Sequence, residues 1–224
     1  MNEKVFIACD TTNLKKIRKL IKETRTKKLK IGYKFGLEFV NSKKGRVFIS
    51  KLKNKILFVD LKLHDIPNTM RSAVISLKDL KINYLTVHIG AGLKALKSVK
   101  AVAGLTKIIG VTTLTSLDNN DLKQIGYNKK IKDLIIHQVK LAKKANLDGI
   151  VCDGDTARFV KKIFKKEIIT PGIRLDGDKV NDQKRSMSPD KAFKNGATSL
   201  VLGRSITKGK IKNNLSRLIR SLKK

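Results

Sequence analysis

The densest grouping of residues able to do chemistry is Phe58 to Thr69, FVDLKLHDIPNT, in which Asp60, Lys62, His64 and Asp65 crowd into six residues after an apolar run. On a strand, the two-residue period puts Phe58, Asp60 and Lys62 on one face and Val59, Leu61 and Leu63 on the other. Asp60 and Lys62 are then neighbours pointing the same way, a carboxylate beside an ammonium. His64, beyond the alternating run, suits packing or a supporting role better than general-base work. Asp65 lies past the strand end. Pro67 favours an extended Ile66 and suits the first turn of a helix starting near Asn68. A surface ion-pair cluster would be worth little energetically. Desolvating several charges together is costly unless they pair closely, which points instead to a functional site.

The elements that must hold this segment repeat a rhythm of short β-branched runs and longer amphipathic stretches. Candidate strands are Val5 to Asp10, Leu29 to Phe35, Ile56 to Lys62, Tyr84 to Gly90, Lys107 to Leu114, Gly149 to Asp153, Ile168 to Ile173 and Ser199 to Ser205. Helix-like sequence separates them at Thr12 to Arg25, Leu37 to Leu52, Asn68 to Leu80, Ala91 to Ala103, Lys130 to Ala145, Thr156 to Lys165 and Pro189 to Asn195, with Lys208 to Leu222 last. Eight βα units without a low-complexity linker predict one (β/α)8 barrel over residues 1–224. An open doubly wound sheet is the alternative, weakened because no G-x-G-x-x-G or P-loop pattern follows a strand. In a barrel, active sites collect at the C-terminal strand ends. There stand Asp10, Lys34, Asp60 with Lys62, His88, Thr115 with Ser116, Arg174, and Arg204 within the eighth strand. Asp65 belongs to a loop that leans away from its own barrel.

Composition narrows the classes. The chain has 51 Lys and Arg against 18 Asp and Glu, a net charge of +33, which raises a nucleic-acid or membrane reading. The basic residues are spread over nearly every expected helix, 41 of them are Lys, and aromatics make up 5% of the chain. Specific nucleic-acid recognition draws on Arg forks and stacking platforms, so solvated lysine faces are the better reading. Such a field still speeds capture of a small polyanion. No apolar stretch reaches the roughly 20 residues a bilayer needs, and MNEKVFIACDTTN lacks a signal-peptide pattern, so a cytoplasmic protein with no membrane partner is expected. Cys9 and Cys152 read as reduced core residues. The histidines show no metal-ligand spacing, His137 reads as structural, and Glu38 and Asp153 belong to no motif that assigns them a role.

DLKLHDIPNT, Asp60 to Thr69, resembles the D-x-K-x-x-D-I-P-N-T signature of the orotidine 5′-phosphate decarboxylases. The likeness runs along the whole chain, through IACDTTN, YKFGLEF, VHIGAG, VTTLTS, TPGIR, DQKR and LGRSIT. It implies cofactor-independent decarboxylation of orotidine 5′-phosphate to UMP, the last step of de novo pyrimidine nucleotide synthesis. Lys62 matches the family's proton donor, Asp60 lies beside the leaving carboxylate, and Lys34 and Asp65 complete a Lys-Asp-Lys-Asp array. Asp65, with Ile66 and Thr69, reaches into a neighbouring subunit's site, so the resemblance implies a homodimer with shared active sites. Asp10 and Lys34 match ribose contacts, and Thr115 and Ser116 match pyrimidine contacts. The phosphate falls to Gly203, Arg204, Gln183 and Arg174. Independently, VLGRSITKG offers a glycine, an Arg fork and a following helix at the usual phosphate corner of a barrel. Leu175 stands where many relatives have Pro, and the LDGDKVND loop before Gln183 is compact.

Two rivals remain at this level. A metal-dependent sugar-phosphate decarboxylase or aldolase of the same superfamily would carry a carboxylate for Mg2+ where this chain has Lys34. A nucleic-acid-binding protein would explain the charge but leave the strand-end array unexplained.

Overall fold

The computed structural model of the protein describes residues 3–178 and 186–223. Eight parallel strands close on themselves in chain order: β1 (Lys4–Ala8), β2 (Lys30–Gly36), β3 (Ile56–Leu63), β4 (Tyr84–His88), β5 (Lys107–Val111), β6 (Gly149–Val151), β7 (Glu167–Thr170) and β8 (Ser199–Leu202). Between and after them run α1 (Leu14–Glu23), α2 (Leu37–Val40), α3 (Gly45–Ser50), α4 (Pro67–Ser76), α5 (Gly92–Val102), α6 (Asn119–Gln124), α7 (Ile131–Lys144), α8 (Gly154–Ile163), α9 (Pro189–Lys194), α10 (Arg204–Thr207) and α11 (Ile211–Ser221). The architecture is the expected (β/α)8 barrel.

Alternation along the strands divides the core in two. Inward residues Phe6, Ala8, Phe58, Tyr84, Ile109, Ile169 and Val201 fill the barrel, with Phe6 edge-on to Phe58 and Tyr84 at centroid distances of 4.9 and 5.0 Å. Gly32 makes room for this cluster, because a Cβ there would stand 2.6 Å from Phe6 Cδ1. Outward residues such as Ile7, Val59, Leu85 and Ile150 pack against the buried stripes of the helices. In α1 that stripe is Ile17, Leu20 and Ile21, capped by Asn13, whose side chain accepts the Lys16 N–H at 3.1 Å.

The N-terminal ends of the strands are tied by a repeated device. Asn83, Asp148 and Thr198, each just before an even-numbered strand, accept with their side chains the N–H of Leu57, Ile108 and Ile168 at 2.8–2.9 Å. Glu167 plugs the same mouth, accepting hydrogen bonds from Lys4, Lys107, Tyr84 and Ser199. Polar satisfaction at this face is a matter of stability, which leaves the opposite mouth for chemistry.

Several boundaries depart from expectation. The helix expected over Leu37 to Leu52 is two short ones, because the chain turns so tightly at Gly45 that a Cβ there would overlap the Phe39 carbonyl oxygen. A short helix, α6, forms after β5 on a reciprocal cap between Asp118 and Asp121 that the hydrophobic pattern did not signal. The first strand ends at Ala8, two residues before Asp10. Arg204 lies outside the eighth strand and opens α10.

Candidate active site

The C-terminal mouth encloses a cavity of about 920 Å³. Its floor is the top of the barrel core, with Phe58, Val111, Val151 and Val201 among the lining residues. Four charged side chains alternate across one wall. Lys34 Nζ lies 3.5 Å from Asp10 Oδ1 and 3.4 Å from Asp60 Oδ2, and Lys62 Nζ lies 3.0 Å from Asp60 Oδ1. Three consecutive strand ends supply this row, and parallel pairing of β1, β2 and β3 makes them neighbours.

Asp60 and Lys62 share the cavity, but not by simple alternation. Lys62 adopts φ 48°, in the left-handed region, and the β3–β4 register slips between Val59 and Leu63. A non-glycine residue in that region is uncommon and calls for compensation. Thr86 of β4 provides it: its buried hydroxyl accepts the Lys62 N–H at 2.8 Å and donates to Asp60 Oδ1 at 2.9 Å. One threonine thereby fixes both the kink and the carboxylate beside it.

The row sets its own protonation. Burial alone would raise the Asp60 carboxyl, yet the ammonium groups of Lys34 and Lys62, with hydrogen bonds from Lys62 and Thr86, hold it below the usual carboxylate range. Burial would lower Lys34, but Asp60 and then Asp10 outweigh it and raise its pKa. Cys9, buried beside the row, is pushed up to about 12 chiefly by burial, with Asp10 adding to the effect. Its thiol is therefore no nucleophile at neutral pH. Both cysteines are free and buried.

Of the residues singled out from the sequence, Asp10, Lys34, Asp60, Lys62, Thr115, Arg174, Gly203 and Arg204 all line this one cavity. Asp65, Ile66, Thr69 and Ser116 are not among its lining residues and are exposed. The Asp65 carboxylate accepts its own neighbour's N–H, from Ile66, at 2.7 Å. Within the chain the array is thus Asp10–Lys34–Asp60–Lys62, and Asp65 stands apart from it. Gln183 lies outside the described residues. Among the described residues, no three His, Cys, Asp or Glu side chains come together to hold a metal ion.

Sequence reasoning missed several contributors. Lys16 and Lys19 of α1 and Thr207 of α10 extend the lining beyond Arg204. Lysines are so common here that two more carried no contrast. Gln138, a polar residue on the buried stripe of α7, holds Thr113 at the mouth through its Oε1, which accepts the Thr113 backbone N–H at 2.8 Å and hydroxyl at 3.2 Å. Its place among apolar helix positions was a usable signal. Gly172 of the TPGIR segment has φ 77°, so the glycine there is required by the backbone.

Residues 3–215 match the family described as Orotidine 5′-phosphate decarboxylase / HUMPS. The chain is 41% identical over 221 residues to an orotidine 5′-phosphate decarboxylase of Wolbachia sp. subsp. Brugia malayi, covering 96% of each chain. It is 39% identical over 219 residues to one from Prochlorococcus marinus (strain MIT 9215), covering 92% of this chain and 89% of that one. Its fold superimposes on the crystal structure of orotidine 5′-phosphate decarboxylase from Lactobacillus acidophilus with a TM-score of 0.84 at 26% identity, over 99% of this chain and 100% of the other. With the barrel, the strand-end row and these likenesses together, the chain belongs to the orotidine 5′-phosphate decarboxylase / HUMPS family, as an enzyme of the carboxy-lyase kind that its relatives' names describe.

Proposed function

We propose that this protein converts orotidine 5′-phosphate to UMP and CO2, the last step of de novo pyrimidine nucleotide synthesis, by a cofactor-independent reaction. The observation that carries the reading is the alternating Asp10–Lys34–Asp60–Lys62 row in the cavity, with Arg204 and Arg174 lining the same space. Arg204, the Gly203 and Arg204 backbone and Arg174 take the phosphate. Asp10 and Lys34 take the ribose, and the Thr115–Ser116 segment takes the pyrimidine. Gln183 joins the phosphate group on the strength of the sequence motif alone.

The substrate carboxylate then lies beside Asp60 and Lys62. As the bond from ring carbon to carboxyl carbon breaks, the electron pair stays on the ring carbon and CO2 departs. The Lys62 ammonium stabilises that developing charge and delivers a proton to the same carbon, and solvent later returns a proton to its amine. Catalysis is complementarity to the charge of the transition state: one negative group leaves the neighbourhood of Asp60 while a carbanion forms against an ammonium.

Asp65, Ile66 and Thr69 serve the site of a second copy. Their exposure supports this: Ile66 is 67% exposed and Ile75 of α4 is 40% exposed, apolar surface that a partner would cover. The functional unit is then a homodimer in the cytoplasm. Mixing Lys62→Ala with Asp65→Ala subunits should restore turnover, because one of the two mixed sites is intact; exchange of subunits without recovery would refute sharing.

The direct test follows loss of the orotate absorbance when the purified protein meets orotidine 5′-phosphate, with and without a chelator. Turnover that survives the chelator is expected, and no turnover would overturn the reading. Loss on chelation would favour the metal-dependent relatives, for which Lys34 is an ill-suited neighbour because its ammonium repels a cation.

A further inference from the structure

The rings of His64 and His88 lie parallel, with centroids 4.9 Å apart and planes inclined by 14°. His88 ends β4, and His64 is the first residue beyond β3. His88 Nδ1 accepts the Gly90 N–H at 3.1 Å, so in the neutral ring Nε2 carries the proton. Gly90 closes against the pair: a Cβ there would stand 2.8 Å from His88 Nδ1 and 3.4 Å from His64 Cε1. Strand β4 thus grips the irregular end of β3 twice. Thr86 holds Asp60 and the kinked Lys62, and His88 stacks on His64, two residues after the kink. The next residues are Asp65 to Thr69. Neither imidazole is among the residues lining the cavity.

We propose that the His64–His88 stack is a positioning clamp, which sets the Asp65–Thr69 segment, the entry to α4, relative to Lys62 and holds only while at least one of the two rings is neutral. What that segment does in turnover rests on the function proposed above; the clamp itself rests on the ring geometry. The groups bearing on the His88 ring are His64 from the β3–α4 loop and Lys62 from β3, with Asp60 tied to the same strand through Thr86. Burial first, then His64 and Lys62, hold the His88 imidazole below its ordinary range. Its folded-state affinity for a proton is reduced, so its contribution is complete above the ordinary histidine value of about 6.5 and is lost as pH falls through the lowered one.

The test measures amide hydrogen exchange over residues 64–76, corrected for intrinsic rates, alongside turnover of orotidine 5′-phosphate, for the unsubstituted protein, His64→Ala and His64→Phe. The helix amides from Met70 onward bond back into the segment, Met70 N–H to the Ile66 carbonyl first. As pH falls from about 7.5 past the ordinary histidine value of about 6.5 and through the lowered His88 value, the unsubstituted protein should lose about tenfold of its protection there, with kcat falling in parallel and KM nearly constant. His64→Phe keeps a stacking ring without a charge, so its protection and kcat should persist to lower pH. His64→Ala should exchange fast and lose about tenfold or more in kcat even at neutral pH. Equal protection in His64→Ala and the unsubstituted protein, or an identical acid limb in His64→Phe, would overturn the clamp. If the unsubstituted protein turns over no substrate, the exchange data decide the clamp alone and the functional reading falls separately.

Discussion

Thr86→Val is the sharpest perturbation of the site that leaves its shape intact. The side chain is fully buried, and valine replaces the hydroxyl with a methyl of similar size. Two hydrogen bonds vanish together: the one accepted from Lys62 N–H at 2.8 Å and the one donated to Asp60 Oδ1 at 2.9 Å. Leaving the Lys62 N–H unpaired costs about 1–3 kcal/mol, and losing a bond to a charged carboxylate costs about 1.5–3 kcal/mol. Asp60 borders a water-accessible cavity, so rehydration there pulls the total down to about 2–4 kcal/mol. At about 2–4 °C per kcal/mol for a chain of this size, the melting temperature should fall by about 4–16 °C. Asp60 also loses one of three anchors, and the left-handed Lys62 loses its backbone partner. The resulting misplacement should cut kcat by about 10- to 100-fold. Urea denaturation followed by circular dichroism reads the first effect and orotate absorbance the second. Thr86→Ser, which restores the hydroxyl, should recover most of both. A stability change under about 0.5 kcal/mol with unaltered kcat would refute the role given to Thr86.

Arg204→Ala should raise KM for orotidine 5′-phosphate by about 10- to 100-fold with a smaller change in kcat, since a charged hydrogen bond to phosphate is worth about 1.5–3 kcal/mol; an unchanged KM would place the phosphate elsewhere. Glu167 gives a pH prediction at the opposite mouth. Burial would raise its carboxyl, but Lys4, Ser199 and Lys107 together hold it below the usual range. Its stabilisation is therefore present above the ordinary glutamate value of about 4.3 and is lost as pH falls through the lowered folded value. Glu167→Gln, measured by thermal melts from neutral to acid pH, should be less stable at neutral pH and lose stability less steeply on acidification.

How much was legible in the sequence differs from residue to residue, for physical reasons. Period-two runs and the helices between them predicted all eight strands and the closed barrel, because burial on both faces writes a strong apolar pattern. Asp10, Lys34, Asp60 and Lys62 were legible as charges at strand ends, where solvation alone would not concentrate them. The kink at Lys62 was not legible. A left-handed lysine carries no side-chain signature, and its stabiliser, Thr86, is distant in sequence and reads as one more β-branched strand residue. Asp65 was separated correctly from Asp60 by Pro67 and the strand end. Arg204 was assigned to a strand because SLVLGRS continues an apolar run, whereas the backbone turns at Gly203 into α10. The short helix α6 rests on a two-carboxylate cap rather than on an apolar stripe, which hydrophobic periodicity cannot detect.

The central claim is that Lys62 supplies the proton at the carbon that loses CO2. Single-turnover decarboxylation by Lys62→Ala, with UMP binding measured in parallel, tests it most directly. The account predicts a fall in the chemical step of about 1,000-fold or more, as for loss of a group acting on the developing charge, while UMP affinity changes little because Arg204 and the cavity walls remain. Turnover by Lys62→Ala near the unsubstituted rate, in a protein that binds UMP normally, would contradict it.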